Sequence, residues 1–465
     1  MRRTLRRSCD ACARSKLSCD LRTPQCSRCL KRKTSCVYAN EPLTLSPPET
    51  TNSHNEGVVQ KESLSSPVLW IDPGSQAFDP FDAYPTTRLP RARVQQLILH
   101  FLSNIAFQYY PLDLKPTSNP FVVSWWPLAL QDPALFHVSL QTASLDVELR
   151  AQKGFENSEV LMADSISLVR QRVNDPLLAS QDETMDSVVT LAAIEFGKGN
   201  TTAGNMHVDG VKEMVRLRGG IRLLKITSPL TARMVSWVSL ILKQTPQFKV
   251  QDDIGLGDGI APIPQWLEPQ ATSRDQLPPG LLNFELDPSI NEVFLRLHHL
   301  FHVPREHKLS TTDLHDLTCY LLHKLLAWSP DKSQPGHSSL ISASQCIRYA
   351  IALYMLIIHG PTYFSHMHLQ SSLVTELKRN IESLLPASAI ANGPLALWIL
   401  TVGMVASQDA LTRAWFTAKA MSVARDMELH SWDEFSQCIK SVLWYKTQRV
   451  EEQFRQRWEE AFSVI

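Results

Sequence analysis

The chain has 465 residues, of which 44% are hydrophobic and 20% charged, with 46 Lys/Arg balancing 46 Asp/Glu. That is ordinary globular composition, long enough to bury a large core, and it excludes a mini-protein held together by disulfide staples. The charge is unevenly placed: residues 1–40 carry eleven Lys/Arg against Asp10 and Asp20, so a strongly basic head precedes a body of equal and opposite net charge. Such a division is typical of a small nucleic-acid-binding module joined to something else.

The first four arginines, Arg2, Arg3, Arg6 and Arg7, are not followed by the apolar run of a secretory signal, so reducing surroundings are expected. There, clustered cysteines hold metal more often than they form bridges. Six of the nine cysteines fall at Cys9, Cys12, Cys19, Cys26, Cys29 and Cys36, which is one spacing unit used twice. Each C-x(2)-C puts two thiols on one face of a helical turn, and the third cysteine returns after a loop to complete a lobe. Three thiolates leave a tetrahedral zinc one ligand short, a deficit removed if two zinc ions share two sulfurs. The symmetry of the repeat points to the first cysteine of each lobe, Cys9 and Cys26, as the bridges. Leu17, Leu30 and Val37 are expected to supply a small apolar core.

This stretch closely resembles the fungal zinc binuclear-cluster family of transcription factors, and Pro24 matches the family's inter-lobe turn. The resemblance implies a nuclear, sequence-specific DNA-binding regulator of RNA polymerase II transcription, with double-stranded DNA and transcription co-regulators as partners. It also implies that the first lobe's helix enters the major groove and that Lys16 reads guanine edges. Carbonyls around Ser15 and Lys16 would accept from cytosine, which suits a CGG-like triplet. Arg14, Arg28, Lys31, Arg32 and Lys33 are expected on phosphates, where they set register and salt dependence. Where the family packs basic residues between its second and third cysteines, this chain reads ARSKLS. The four leading arginines either compensate on DNA or serve nuclear import.

Residues 40–67 are rich in Pro, Ser, Thr and acid and read as a flexible linker. No heptad follows the cluster, so dimerisation through a coiled coil is left undetermined. In residues 68–85, Trp70, Phe78, Phe81 and Tyr84 interleave with Asp72, Asp79 and Asp82. They suit an activation segment or, the favoured reading, a strap docking its aromatics on the next domain.

From about residue 90 the period is helical. Val94, Leu97, Ile98, Phe101, Leu102 and Ile105 share one face, as do Val160, Leu161, Ile166, Val169 and Val173. Asp132-Pro133, Ser228-Pro229 and a Ser180/Glu183 capping box mark helix starts. A Pro/Gly/Asp-rich stretch near 249–288 reads as a functional or disordered loop. Residues 199–221, ending in Arg-Gly-Gly-Ile, and the Leu-Trp stretch 397–407 with RAWF at 413–416 resemble the fungal-specific transcription factor domain. Locally, Val208, Val211, Met214 and Val215 form a packing stripe, and Gly219 or Gly220 stops the helix. Pro394–Ala406, the longest charge-poor apolar run, is too short for a bilayer and reads as a buried core helix; no membrane partner is expected.

The fold expected is mainly α: a two-zinc six-cysteine cluster with two short helices in 1–40, a flexible linker with the acidic-aromatic segment in 41–90, and an all-α regulatory domain in 91–465. Nucleophile-elbow, metalloprotease and phosphate-loop motifs are missing, so no enzyme activity is expected. His298, His299, His302 and His307 are close enough in sequence to suggest a metal, though solvated or hydrogen-bonded histidines are the favoured reading. Cys319, Cys346 and Cys438 read as buried small hydrophobes rather than redox sensors. A protein–protein scaffold with little specific DNA affinity is the alternative function.

Overall fold

In a computed structural model of the chain, the structure describes residues 10–15, 27–34, 84–152, 154–268, 286–302, 309–330, 338–384 and 393–462. Two short helices, α1 (Asp10–Arg14) and α2 (Ser27–Arg32), form the head. The body begins with α3 (Arg91–His100), which continues through a wider π-helical turn, Phe101–Ile105, into α4 (Ala106–Tyr109). A second π turn, Phe121–Trp125, leads into α5 (Trp126–Gln131). The first apolar stripe is buried as its period requires: Val94, Leu97, Ile98, Phe101, Leu102 and Ile105 all face the core.

Around α6 (Pro133–Ala151) the body closes on nearly every side. Two of its buried hydroxyls are satisfied within the helix, Ser139 on the Leu135 carbonyl and Thr142 on that of Val138. Asp132 caps this helix by accepting from the Leu135 amide at 2.8 Å, with Pro133 in the first turn, as the sequence predicts. α7 (Glu156–Asn174) and α8 (Asp182–Gly197) pack on it, followed by α9 (Thr201–Leu217), α10 (Ile221–Thr227) and α11 (Pro229–Lys243). The buried stripe of α9 is Val208, Val211, Met214 and Val215, and both Gly219 and Gly220 take positive φ, 87° and 92°, where the chain turns into α10.

Two expectations fail here. Val173 is 43% exposed, and the buried face of α7 is Leu161, Met162, Ser165 and Val169. The Arg172 guanidinium pairs with Asp132, so the last turn of α7 lies level with the start of α6, where the partner helix ends and leaves Val173 uncovered. Nor does Ser180 cap α8: Gln181 stands at its start with no side-chain bond to a helix amide, and the Ser180 carbonyl accepts from Arg218 at 2.8 Å. Ser228 does precede Pro229, but its hydroxyl meets Arg218 instead of a helix amide.

A short α12 (Pro264–Leu267) follows the segment 249–263, and among the described residues the single strand-like feature is the parallel bridge between Val250 and Ile260. The described part of the Pro/Gly/Asp-rich stretch is folded onto the body, with Ile263 and Trp266 buried. The second half comprises α13 (Pro288–His302), α14 (Thr311–Ala327), α15 (Ser338–His359), α16 (Met367–Leu384), α17 (Pro394–Ala406), α18 (Ala410–Asp426), α19 (Trp432–Lys440) and α20 (Gln448–Phe462). α17 is buried as expected, and Trp398 donates its indole N–H to the Leu443 carbonyl at 3.0 Å. The longer apolar helix is α15, whose Ile341–His359 stretch has the length and composition to cross a membrane; it is mostly buried inside the body and holds Arg348 against Trp328 and Tyr349. Buried side chains form one continuous core from Val94 to Phe454.

Candidate nucleic-acid interface

The two head helices repeat one local design. Each begins one residue after the first cysteine of its lobe, so that Cys12 and Cys29 occupy equivalent positions on α1 and α2. Both are only 2% exposed, and the two helices lie against each other. Helices of five and six residues lie far below the length that is stable alone in water, so something other than propensity must hold them. Thiolate coordination fits that need: two buried sulfurs at matching sites are the donor type that zinc takes in closed structural sites. Cys9, Cys19, Cys26 and Cys36 lie outside the described residues, as do Lys16, Leu17, Pro24 and Val37.

The basic residues gather at the exposed ends of these helices. Arg14 and Ser15 are exposed at the end of α1, where the Ser15 amide donates to the Ala11 carbonyl at 3.2 Å. Lys31, Arg32 and Lys33 are exposed at the end of α2, and Arg28 is half-buried. Lys33 sits in the left-handed region, φ 52°, and the Thr34 amide closes the helix on the Cys29 carbonyl at 3.1 Å. Sequence reasoning missed this capping position because a glycine is the usual signal for it. Leu30, expected in a small apolar core, is 65% exposed: a buried Cys29 turns the next residue outward on so short a helix.

Other candidate residues resolve into packing. His298 and His302 stack at 4.1 Å, and the two ring nitrogens of His302 face the backbone carbonyls of His298 and Lys440 at 3.0 and 2.8 Å. Among the described residues no group of three metal-binding side chains occurs; His307 lies outside them. Cys319 and Cys346 are buried and Cys438 is half-buried; burial pushes their thiols up to about 12, 12 and 11, so they remain unreactive thiols at neutral pH. Of the strap residues, Tyr84 stacks on Phe136 at 5.6 Å, as the docking reading expects, and the aromatics before it lie outside the described residues.

A small head with two buried cysteines at equivalent helix positions thus precedes a large all-α body in the chain. The chain belongs to the fungal-specific transcription factor domain family, which matches residues 96–461, and its head matches the fungal Zn(2)-Cys(6) binuclear cluster domain over residues 7–45. In that family the cluster binds two zinc ions, and the proteins are generally nuclear. Among curated proteins, the Transcriptional regulator alnR of Emericella nidulans is similar, 36% identical over 77 residues. That likeness covers 13% of this chain and 19% of the relative's length. No solved structure matches the chain. These likenesses place the chain among proteins that join a zinc-cluster domain to a fungal-specific transcription factor domain.

Proposed function

We propose that the head holds two zinc ions with Cys9, Cys12, Cys19, Cys26, Cys29 and Cys36, Cys9 and Cys26 being shared, and that it binds double-stranded DNA in the nucleus. Zinc supplies structural cross-linking of the two lobes, in place of the apolar core that the exposed Leu30 fails to provide. The end of α1 delivers Lys16 to guanine O6 and N7, with backbone carbonyls near Ser15 accepting from cytosine, so a CGG-like triplet is the element read. Arg14, Arg28, Lys31, Arg32 and Lys33 take the phosphates and set the salt dependence. The modules divide near residues 40 and 90, and the helical body from 91 onward regulates activity and meets co-regulators.

The observation that carries this reading is the repeated cysteine design within the matched segment 7–45, with Cys12 and Cys29 buried and basic residues exposed at both helix ends. Binding-site selection with the full chain tests it. Enrichment of a CGG-like triplet is expected, and salt-sensitive binding with no enriched sequence would favour a protein–protein scaffold instead.

A further inference from the structure

The end of α2 carries an exposed run of three cations, Lys31, Arg32 and Lys33, and the residue that follows them, Thr34, is exposed as well. Among the described residues no ion pair engages those cations and no hydrogen bond engages the Thr34 hydroxyl. The backbone beneath them is tied down. Lys33 turns the chain with φ 52°, its amide donates to the Leu30 carbonyl at 3.3 Å, and the Thr34 amide donates to the Cys29 carbonyl at 3.1 Å. Thr34 thus lies just outside the helix yet is held beside its basic end.

That placement matters to two kinds of partner. To an enzyme with an acidic substrate groove, Thr34 offers a free hydroxyl directly preceded by three positive side chains. To DNA, a phosphate on that hydroxyl would bring a charge of about −1.5 to −2 and three acceptor oxygens among cations assigned to the duplex. Lys31, Arg32 and Lys33 would then bond within the chain to the same group that they meet on DNA. The carboxyl end of a helix is also where added negative charge is least favourable, and α2 has only six residues. The arrangement is not repeated in the first lobe: Ser15, exposed past the end of α1, has a single cation, Arg14, among the three residues before it.

We propose that Thr34 is a phosphorylation site for a serine/threonine protein kinase that recognises basic residues ahead of its acceptor, and that the modification releases the head from DNA. This inference rests on the DNA binding proposed for the head. In the transfer, Thr34 Oγ forms a bond to the γ-phosphorus of ATP, the bond from that phosphorus to the β,γ-bridging oxygen breaks, and ADP leaves with the electron pair. The hydroxyl proton passes to a base of the kinase.

The zinc-loaded full chain treated with MgATP and the catalytic subunit of cAMP-dependent protein kinase, mapped by mass spectrometry and titrated with a CGG-containing duplex across salt concentrations, tests the proposal. Phosphate is expected on Thr34, and Thr34→Val should lose it while binding DNA as the wild type does. Affinity of the modified chain should fall at least about tenfold near 50 mM salt, and the slope of log affinity against log salt should flatten by about two, as for two lost phosphate contacts. Phosphate found only elsewhere, for instance on Ser8 or Ser35, or unchanged affinity and slope after modification of Thr34, would overturn the assignment alone. An unmodified chain that fails to bind the duplex would overturn the proposed DNA binding and the assignment together.

Discussion

In the proposed mode of DNA binding, Lys16 and Cys9 separate reading from folding at single residues. Lys16→Ala removes donors aimed at guanine but no thiolate, so the zinc content should stay at two while affinity for a CGG-like site falls by about 1–3 kcal/mol and selectivity at that position relaxes. Cys9→Ala removes a shared sulfur, so both zinc positions should be lost together. Metal analysis alongside a titration of duplex DNA checks both variants, and a Cys9 variant that retains two zinc ions would exclude Cys9 as a bridge. At this scale the cluster domain was legible because coordination chemistry fixes spacing: six thiols in a repeated interval leave few alternatives. The misreading of Leu30 has the opposite cause. A lone leucine carries no period, and on a helix of six residues one buried neighbour, Cys29, decides which way it points.

Among elements, the pairing of α17 with α18 depends on a residue that the sequence pattern does not single out. Gly403 lies where a Cβ would overlap the ring of Phe416, itself fully buried on α18. Gly403→Ala should therefore destabilise the chain by about 1–3 kcal/mol through overpacking. The Phe416→Leu change frees that space, so the double variant should be more stable than the two single losses summed; denaturant unfolding of all four proteins measures the coupling. Additive losses would place the strain elsewhere. The same scale explains why helix interiors were read well and their starts less so. Burial of the α9 and α3 stripes follows from period alone, whereas a capping serine competes with distant donors. Arg218 claims the Ser180 carbonyl and the Ser228 hydroxyl, while Ser310 with Asp313 and Ser431 with Glu434 form capping boxes with both reciprocal bonds in place.

Across the whole molecule, the features that escaped the sequence join residues far apart in the chain, and the buried histidines are the clearest case. His315 Nδ1 lies 2.9 Å from His359 Nε2, and His359 stacks on Trp237 at 4.1 Å, three helices meeting at one point. Burial pulls His315 down to about 3 and His323 and His366 to about 4, and it lowers His359 further from its ordinary range, aided by the neighbouring His315. In the unfolded chain these rings take up protons near pH 6.5, while the folded body keeps them neutral. Protons thus bind preferentially to the unfolded state below about pH 6.5, so stability is full above that value and is lost as pH falls toward the folded pKa values. Asp316 and Asp253, held low by cationic partners, add loss in the same direction at more acid pH, whereas the buried Asp186, pushed up by desolvation, opposes it. Each fully buried histidine contributes a slope of up to about 1.4 kcal/mol per pH unit in the window between about pH 6 and 4.5. His323→Phe should flatten the slope by about one proton's worth, because His323 is bonded only to the Cys319 carbonyl and the Cys319 thiol on its own helix and lies outside the His315–His359 pair. Denaturant midpoints of wild type and variant across that window measure the difference, and parallel curves would show that His323 is not among the groups that protonate on unfolding.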